Sequence, residues 1–106
     1  MKSLFIDPHD NVYVIDLDSL NDIRSLIGNF DVVNLCDGIM MAVKDTGLII
    51  GNGMPPNQRA ILFVATLMDV IVPISGSTIV FMETNEDLDL KALPDWVQHA
   101  IAAPFN

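Results

Sequence analysis

Residues 57–69, with the sequence NQRAILFVATLMD, decide the fold of this chain. Between Ala60 and Met68 every residue except Thr66 is apolar, so a helix built from this stretch has almost no polar face. A helix that is apolar nearly all round is a buried helix. Pro56 or Asn57 can begin it, because proline is tolerated in the first helical turn. The stretch therefore predicts a core helix on which the rest of the chain packs.

Short runs rich in β-branched residues flank this helix on both sides and predict strands. They cover residues 3–6, 12–17, 31–35, 39–43, 48–50, 70–74 and 78–82. The first two runs predict an edge hairpin. The Asp37-Gly38 pair between two later runs is typical of a hairpin turn. Pro73 places the run at 70–74 at an edge or a bulge, since proline cannot donate a ladder hydrogen bond.

Two further helices are predicted. Ser19 is a favourable N-cap with Asp22 three residues later, and Gly28 is a favourable end. At the C-terminus an apolar stripe at spacings of three and four predicts a helix over residues 90–103, with a break near Pro94. We therefore predict an α+β fold: a small, mostly antiparallel sheet of short strands packed on a buried central helix at about 57–69, plus a C-terminal amphipathic helix.

The chain has 106 residues, which fits one domain. Residues 1–82 form the predicted core domain. Residues 83–106 are predicted to be an acidic linker followed by the C-terminal helix. That segment belongs either to the same domain or to a tail that binds a partner.

The formal net charge is −9, from fourteen carboxylates against five Lys and Arg residues. Such a charge repels phosphate backbones and anionic lipids, so we expect no direct nucleic-acid binding and no membrane contact. An acidic surface gives solubility, and it also attracts basic partners.

Cys36 is the only cysteine, so no internal disulfide can form. The N-terminal apolar run is broken at Asp7, unlike a signal peptide, and we expect a cytoplasmic protein. His9, His99 and Cys36 lack the short spacing of metal ligands, so no metal and no cofactor are predicted. An enzyme using Cys36 or a carboxylate pair is the weakest hypothesis, and we predict no catalytic residues.

The loop at 51–59 is the candidate ligand site. It leads flexible backbone to a helix N-terminus with an Arg in the first turn, and helix N-termini attract anions. The residues that could bind a nucleotide or another anion are Asn52, Gly53, Asn57 and Arg59. In the structural alternative, the glycines make the turn while the Asn57 side chain caps the helix and pins the loop. Both interpretations stay open at this point.

The C-terminal segment is the candidate partner site, because tryptophan is enriched at binding hot spots. The residues that could contact a partner are Glu83, Glu86, Asp87, Asp89, Trp96, Val97 and Ile101. Alternatively, the apolar stripe docks on its own domain or on a second copy of the chain.

Two segments carry a resemblance to a known family. Met54-Pro55-Pro56-Asn57-Gln58-Arg59-Ala60 is similar to a Leu-Pro-x-Asn-x-x-Ala signature, and residues 74–81 are similar to an Ile-x-Gly-x-x-x-Val/Phe strand pair. On these motifs residues 1–82 resemble a family of small uncharacterised domains found mainly in phages and in bacterial genomes with mobile elements. The resemblance implies a small accessory protein of phage origin that acts in the host cytoplasm, and it implies no enzymatic activity.

These observations lead to three hypotheses. The first is an acidic accessory protein that binds and modulates or inhibits a host protein without catalysis. The second is a module that binds or sequesters a small anion through the loop at 51–59. The third is an enzyme. A homodimer is compatible with all three.

Overall fold

A computed structural model describes residues 1–45, 53–83 and 90–102. Within these ranges the strands are β1 (Lys2–Ile6), β2 (Val12–Asp16), β3 (Phe30–Asn34), β4 (Ile39–Lys44), β5 (Thr78–Glu83) and β6 (Leu90–Lys91). The helices are α1 (Leu20–Ile27), α2 (Gln58–Met68) and α3 (Asp95–Ala102).

The strands form one antiparallel sheet in the order β2-β1-β5-β4-β3, with β6 paired to the end of β5. The predicted α+β fold is therefore confirmed. β5 is central although it comes late in the chain, because Val80 lies opposite Leu4 of β1 on one side and Met41 of β4 on the other. The predicted edge hairpin is β1–β2, and β2 is its outer strand.

Both faces of the sheet are buried. One face packs with α2 and α3 in a core of thirteen residues: Leu4, Ile6, Ile39, Met41, Val43, Ala60, Phe63, Val64, Ile74, Val80, Leu93, Val97 and Ile101. The other face packs with α1 in a core of seven residues: Leu17, Ile23, Ile27, Ala42, Ile79, Phe81 and Leu90. A strand buried on both faces reads as a continuous apolar run, which explains the sequence Ile39-Met40-Met41-Ala42-Val43 in β4.

The central helix α2 is buried on its sheet side, through Ala60, Phe63 and Val64. Leu62 and Met68 are exposed on its other side. The helix therefore covers the sheet from outside and is not surrounded by other elements.

The Asp-Gly hairpin turn forms as predicted. Asp37 and Gly38 both have positive φ, 54° and 80°, and the Ile39 N–H donates to the Cys36 carbonyl at 2.9 Å. Two consecutive residues with positive φ are the geometry that Asp-Gly favours in a hairpin.

Two predicted elements differ in the structure. Residues 70–74 do not form a strand, and the nearby pairing is one bridge between Pro56 and Ser75. Residues 90–91 form β6 and not the start of a helix, because they pair with Met82 and Glu83 at the end of β5. The Leu90 N–H also donates to the Asp18 carbonyl at 3.0 Å. The predicted strand at 48–50 and most of the acidic linker lie outside the described residues.

The C-terminal segment belongs to the same folded unit as the sheet. The Leu93 N–H donates to the Lys2 carbonyl at 3.0 Å, and Lys2 Nζ lies 3.0 Å from the Asp95 carboxylate. Val97 is 0% exposed and Ile101 is 2% exposed. The helix α3 therefore completes the core beneath it.

We expect a chain ending at Met82 to lose its cooperative fold. It lacks the buried side chains of Leu90, Leu93, Val97 and Ile101. Burial of each contributes about 1.5–3 kcal/mol, so together they match the about 5–15 kcal/mol that stabilises a typical domain. Circular dichroism and urea unfolding would measure the loss.

A pair of point variants tests the same conclusion in the full chain. Ile101→Ala should lower the free energy of unfolding by about 2–5 kcal/mol, as for other buried isoleucines. His99→Ala, on the exposed side of α3, should change it by less than about 0.5 kcal/mol. Equal effects of the two variants would contradict the packing of α3 in the core.

Candidate functional site

Asn57 is buried and all three of its polar side-chain groups are used within the protein. Its Nδ2 donates to the carbonyls of Ile6 at 3.0 Å and Gly76 at 2.9 Å. Its Oδ1 accepts from the Ala60 N–H at 3.1 Å and so caps α2. The structural alternative for Asn57 is thus confirmed, since the side chain caps the helix and pins the segment before it to the sheet.

The backbone before α2 is fixed by the segment at 74–76. The Asn57 N–H donates to the Ile74 carbonyl and the Gly76 N–H donates to the Pro55 carbonyl, both at 2.9 Å. Gly76 has φ +79°, and a Cβ atom there would lie 3.0 Å from Met54 Sδ. A larger residue at this position would therefore push the Met54 side chain away.

Arg59 is held by groups of the protein itself. Its Nε lies 2.5 Å from Oδ1 of Asp10 and its Nη2 lies 3.2 Å from Oδ2, which makes a bidentate pair. Its Nη1 donates to the Ile101 carbonyl at 2.5 Å. Arg59 thus ties the start of α2 to the β1–β2 turn and to the end of α3.

The β1–β2 turn presents Asp10 to Arg59. Asp7 organises the turn, because its Oδ1 accepts the N–H groups of His9 at 2.8 Å and Asn11 at 3.0 Å. Burial raises the pKa of Asp7, but the hydrogen bonds from Asn11 and His9 outweigh it and hold that pKa below its ordinary value. Asp10 itself has φ +68°, a conformation that Asp and Asn adopt more readily than most residues.

Two open clefts lie beside this region. The smaller, of about 460 Å³, is lined by Pro8, Asp10, Pro55, Pro56, Gln58 and Arg59. The larger, of about 640 Å³, includes Lys44 and Asp45 of the β4 end and Gly28 of the α1 end.

The cations that could gather around an anion have different surroundings. Arg59 binds Asp10, and Lys44 borders the larger cleft. The Arg24 guanidinium lies 5.8 Å from the Phe30 ring centre.

The remaining ligand candidates divide between described and undescribed parts of the chain. Gly53 is exposed with φ +86°, as expected of a glycine that makes the turn. Asn52 lies outside the described residues. The structure therefore brings together Asn57 and Arg59 at the start of α2, where both serve the fold.

Cys36 and His9, which could act together as a nucleophile and its base, lie at opposite ends of the sheet. Cys36 precedes Ile39, which pairs with Met82 at one end of β5, whereas His9 follows Ile6, which pairs with Thr78 at the other end. Among residues 1–45, 53–83 and 90–102, no group of three or more His, Cys, Asp or Glu side chains could hold a metal ion.

The candidate partner residues are placed differently from the hypothesis. Val97 and Ile101 are buried against the sheet and α2, so they serve the core and are not accessible to a partner. Trp96 is 43% exposed on the same helix. Of the acidic candidates, Glu86, Asp87 and Asp89 lie outside the described residues, and Glu83 is the last residue of β5.

β2, the outer strand of the predicted edge hairpin, exposes apolar side chains that are not among the site residues predicted from the sequence. Tyr13 and Val14 of β2 are 50% and 54% exposed. Among the described strands, β2 pairs on one side only, with β1. The sequence predicted an edge hairpin here, but only the pairing shows that β2 is its outer strand and carries the exposed apolar side chains.

The hydrogen bonds of the hairpin show which backbone groups of β2 point outward. The Asp7 N–H donates to the Asn11 carbonyl and the Leu17 N–H donates to the Met1 carbonyl. Because bonded pairs alternate in an antiparallel ladder, Tyr13 and Ile15 direct their backbone groups toward β1. The alternate residues direct their backbone N–H and C=O groups to the outer edge. These residues are Val12, Val14 and Asp16.

The opposite edge of the sheet is β3, and it differs in character. Its most exposed apolar side chain is Val32, at 43%. Asp31 places a charge within the strand. Charges in edge strands discourage pairing with other chains.

Comparison with known proteins gives a family and no function. Residues 1–106 match the family described as a domain of unknown function (DUF3846). No curated protein and no solved structure matches the chain. None of the described helices is long and apolar enough to span a membrane.

Replacing Asn57 should destabilise the protein strongly. Asn57→Ala removes the cap of α2, worth about 0.5–2 kcal/mol, and the two buried hydrogen bonds to the Ile6 and Gly76 carbonyls, worth about 0.5–1.5 kcal/mol each. We expect the free energy of unfolding to fall by about 2–5 kcal/mol in urea titrations.

Two further variants separate the roles of Asn57. Asn57→Asp keeps the capping oxygen and loses both donors, so it should destabilise at least as strongly if pinning dominates. Asn34→Ala, at an exposed site on β3, should have an effect below about 0.5 kcal/mol. A mild effect of Asn57→Asp would show that capping alone matters.

The Asp10–Arg59 pair should make stability depend on acid pH. The hydrogen bond from Arg59 holds the pKa of Asp10 below its ordinary value of 3.8. Its stabilisation is therefore complete above pH 3.8 and is lost as the pH falls through the lower pKa of the folded state. A double-mutant cycle of Asp10→Asn and Arg59→Gln should give a favourable coupling at neutral pH that vanishes in strong acid. A coupling that does not change with pH would show that the ion pair does not contribute.

Proposed function

We propose that this chain, which belongs to the DUF3846 family, is a protein-binding domain that acts without catalysis. The observation that carries the proposal is the outer strand β2. Tyr13 and Val14 are half exposed there, and the backbone groups of alternate residues point away from the sheet.

An apolar edge of this kind is unusual for a domain that has no partner. Natural sheets protect their edges with Lys, Pro, bulges or charges in the strand. The β2 sequence Val12-Tyr13-Val14-Ile15 contains none of these residues before Asp16. Tyrosine is also enriched at protein interfaces. The strand therefore has the composition of a contact surface.

The finer proposal is an accessory protein of phage origin that binds and modulates or inhibits a host protein. Two observations support it. Residues 54–60 are similar to the signature of a phage-associated family, and the net charge of −9 favours a basic partner over nucleic acid or an anionic membrane.

The alternative of anion binding has less support from the geometry. The Asn57 side chain is hydrogen-bonded to Ile6, Gly76 and Ala60. The Arg59 side chain binds Asp10 and the Ile101 carbonyl. An anion would have to displace the bidentate carboxylate. The enzyme alternative uses Cys36 or a carboxylate pair, and Cys36 has His9 at the other end of the sheet.

Affinity capture with matched surface variants tests the proposed function. The full chain would be incubated with bacterial lysates, and retained proteins would be identified by mass spectrometry. We expect a stoichiometric protein partner with the unmodified chain and with Val32→Ser. The double variant Tyr13→Ser/Val14→Ser should lose it, because it removes the exposed apolar area of β2. The partner should also bind the Cys36→Ala variant. Failure of the unmodified chain to retain any protein stoichiometrically would contradict the proposal.

A further inference from the structure

We propose that β2 binds an extended, basic segment of the partner as an additional strand of the sheet. This inference rests on the proposed protein-binding function and names the recognition chemistry at the same surface. The partner segment extends the order β2-β1-β5-β4-β3 outward from β2.

The backbone of β2 supplies the main attraction. Val12, Val14 and Asp16 each direct one N–H and one C=O to the outer edge, as the ladder with β1 requires. A strand placed about 4.8 Å away would satisfy these groups, and this is the geometry of peptide recognition by strand addition.

The side chains on the two faces of β2 provide apolar surface against which the added strand packs. Tyr13 and Val14 point to opposite faces, as neighbours in a strand do. The Tyr13 ring is tilted against the Phe5 ring with centroids 6.1 Å apart, so it is already supported on its face. Alternate residues of the partner segment therefore meet the Tyr13 ring on one face and Val14 on the other.

The charge at the end of β2 selects a basic segment. Asp16 and Asp18 are 89% and 92% exposed, so two carboxylates face solvent at this corner. A lysine or arginine of the partner has the matching charge.

The same charge argues against a second copy of the chain as the occupant. Each copy carries a net charge of −9, and self-pairing of β2 would bring the Asp16–Asp18 corners toward a like-charged surface. Like charges across an interface cost association energy, whereas a basic segment gains it.

The opposite edge strand, β3, serves as an internal control for strand addition at β2. β3 also turns alternate backbone groups outward, since the Leu35 N–H donates to the Ile39 carbonyl and the Asp45 N–H to the Asn29 carbonyl. By the same alternation Val32 is an outward residue, as Val14 is in β2. Asp31 lies inside β3, whereas the carboxylate of β2, Asp16, is its last residue, so β3 is the poorer acceptor of a strand.

The decisive variant is Val14→Pro, with Val32→Pro as its match. Proline removes the outward N–H at each position, while the ladder to the inner strand keeps its hydrogen bonds. Thermal unfolding of both variants would verify the fold. Should proline at either position prevent folding, Val14→Lys and Val32→Lys replace the pair, because a lysine at this position repels a basic segment without altering the backbone.

The probe is a short capped peptide in which Lys and Val alternate. A peptide in which Glu and Val alternate is the control of opposite charge. Binding would be followed by amide NMR shifts of the full chain. We expect the Lys–Val peptide to shift Val12, Val14 and Asp16, and Val14→Pro to weaken it by about tenfold or more. Val32→Pro should change the affinity by less than about twofold, and the Glu–Val peptide should not bind.

Equal binding by Val14→Pro and the unmodified chain would overturn the inference, and so would shifts confined to β3 or α2. A dimer of the unmodified chain that Val14→Pro abolishes, seen by sedimentation equilibrium, would overturn the basic partner in favour of a second copy. A captured protein that binds Val14→Pro undiminished would overturn strand addition and leave the proposed function standing. Peptide binding at β2 without any captured protein would contradict the proposed function and leave strand addition standing.

Discussion

The structure depends on the buried side-chain amide of Asn57. Its two donors and its acceptor join the end of β1, the turn before β5 and the first turn of α2. These segments are far apart in the chain, and the buried amide would lose its partners if they separated. A buried group of this kind costs more when its partner is lost than its hydrogen bond contributes when formed, so the position of α2 on the sheet is tightly specified.

The sheet follows from the placement of β5. The hairpins β1–β2 and β3–β4 lie in the first half of the chain. β5 pairs with one strand of each hairpin and joins them into a single sheet. The helix α3 then lies along the β1–β2 hairpin, because Lys2 holds its first residue, Asp95, and Arg59 holds the carbonyl of Ile101 near its end. As a result the inner strands are buried on both faces, and β2 is left as the outer strand beside them.

The two ends of the sheet therefore have unequal consequences for function. β3 carries a carboxylate inside the strand, which discourages other chains, whereas the carboxylate of β2, Asp16, is its last residue and follows exposed apolar side chains. Strand addition combines main-chain hydrogen bonds, which give affinity, with side chains and charge, which give selectivity. In the proposed binding of a basic segment, the acidic composition, which by itself indicated solubility and an attraction to basic partners, acts at one end of this strand.

The sequence by itself determined the features that depend on neighbouring residues. The apolar run after Asn57 specified α2 and its cap, Asp37-Gly38 specified a hairpin turn, and the capping pattern at Ser19 and Asp22 specified α1. In each case the interacting groups lie within a few positions of one another.

Only the tertiary structure decided the features that depend on distant partners. Residues 70–74 resemble a strand in composition but pair with none of the described strands, and residues 90–91 become one because they pair with the end of β5. Val97 and Ile101 form the same helical stripe whether they face a core or a partner. Likewise the sequence predicted an edge hairpin for the first two strands, but the pairing of β1 with β5, more than sixty residues away, decided that β2 is its outer strand.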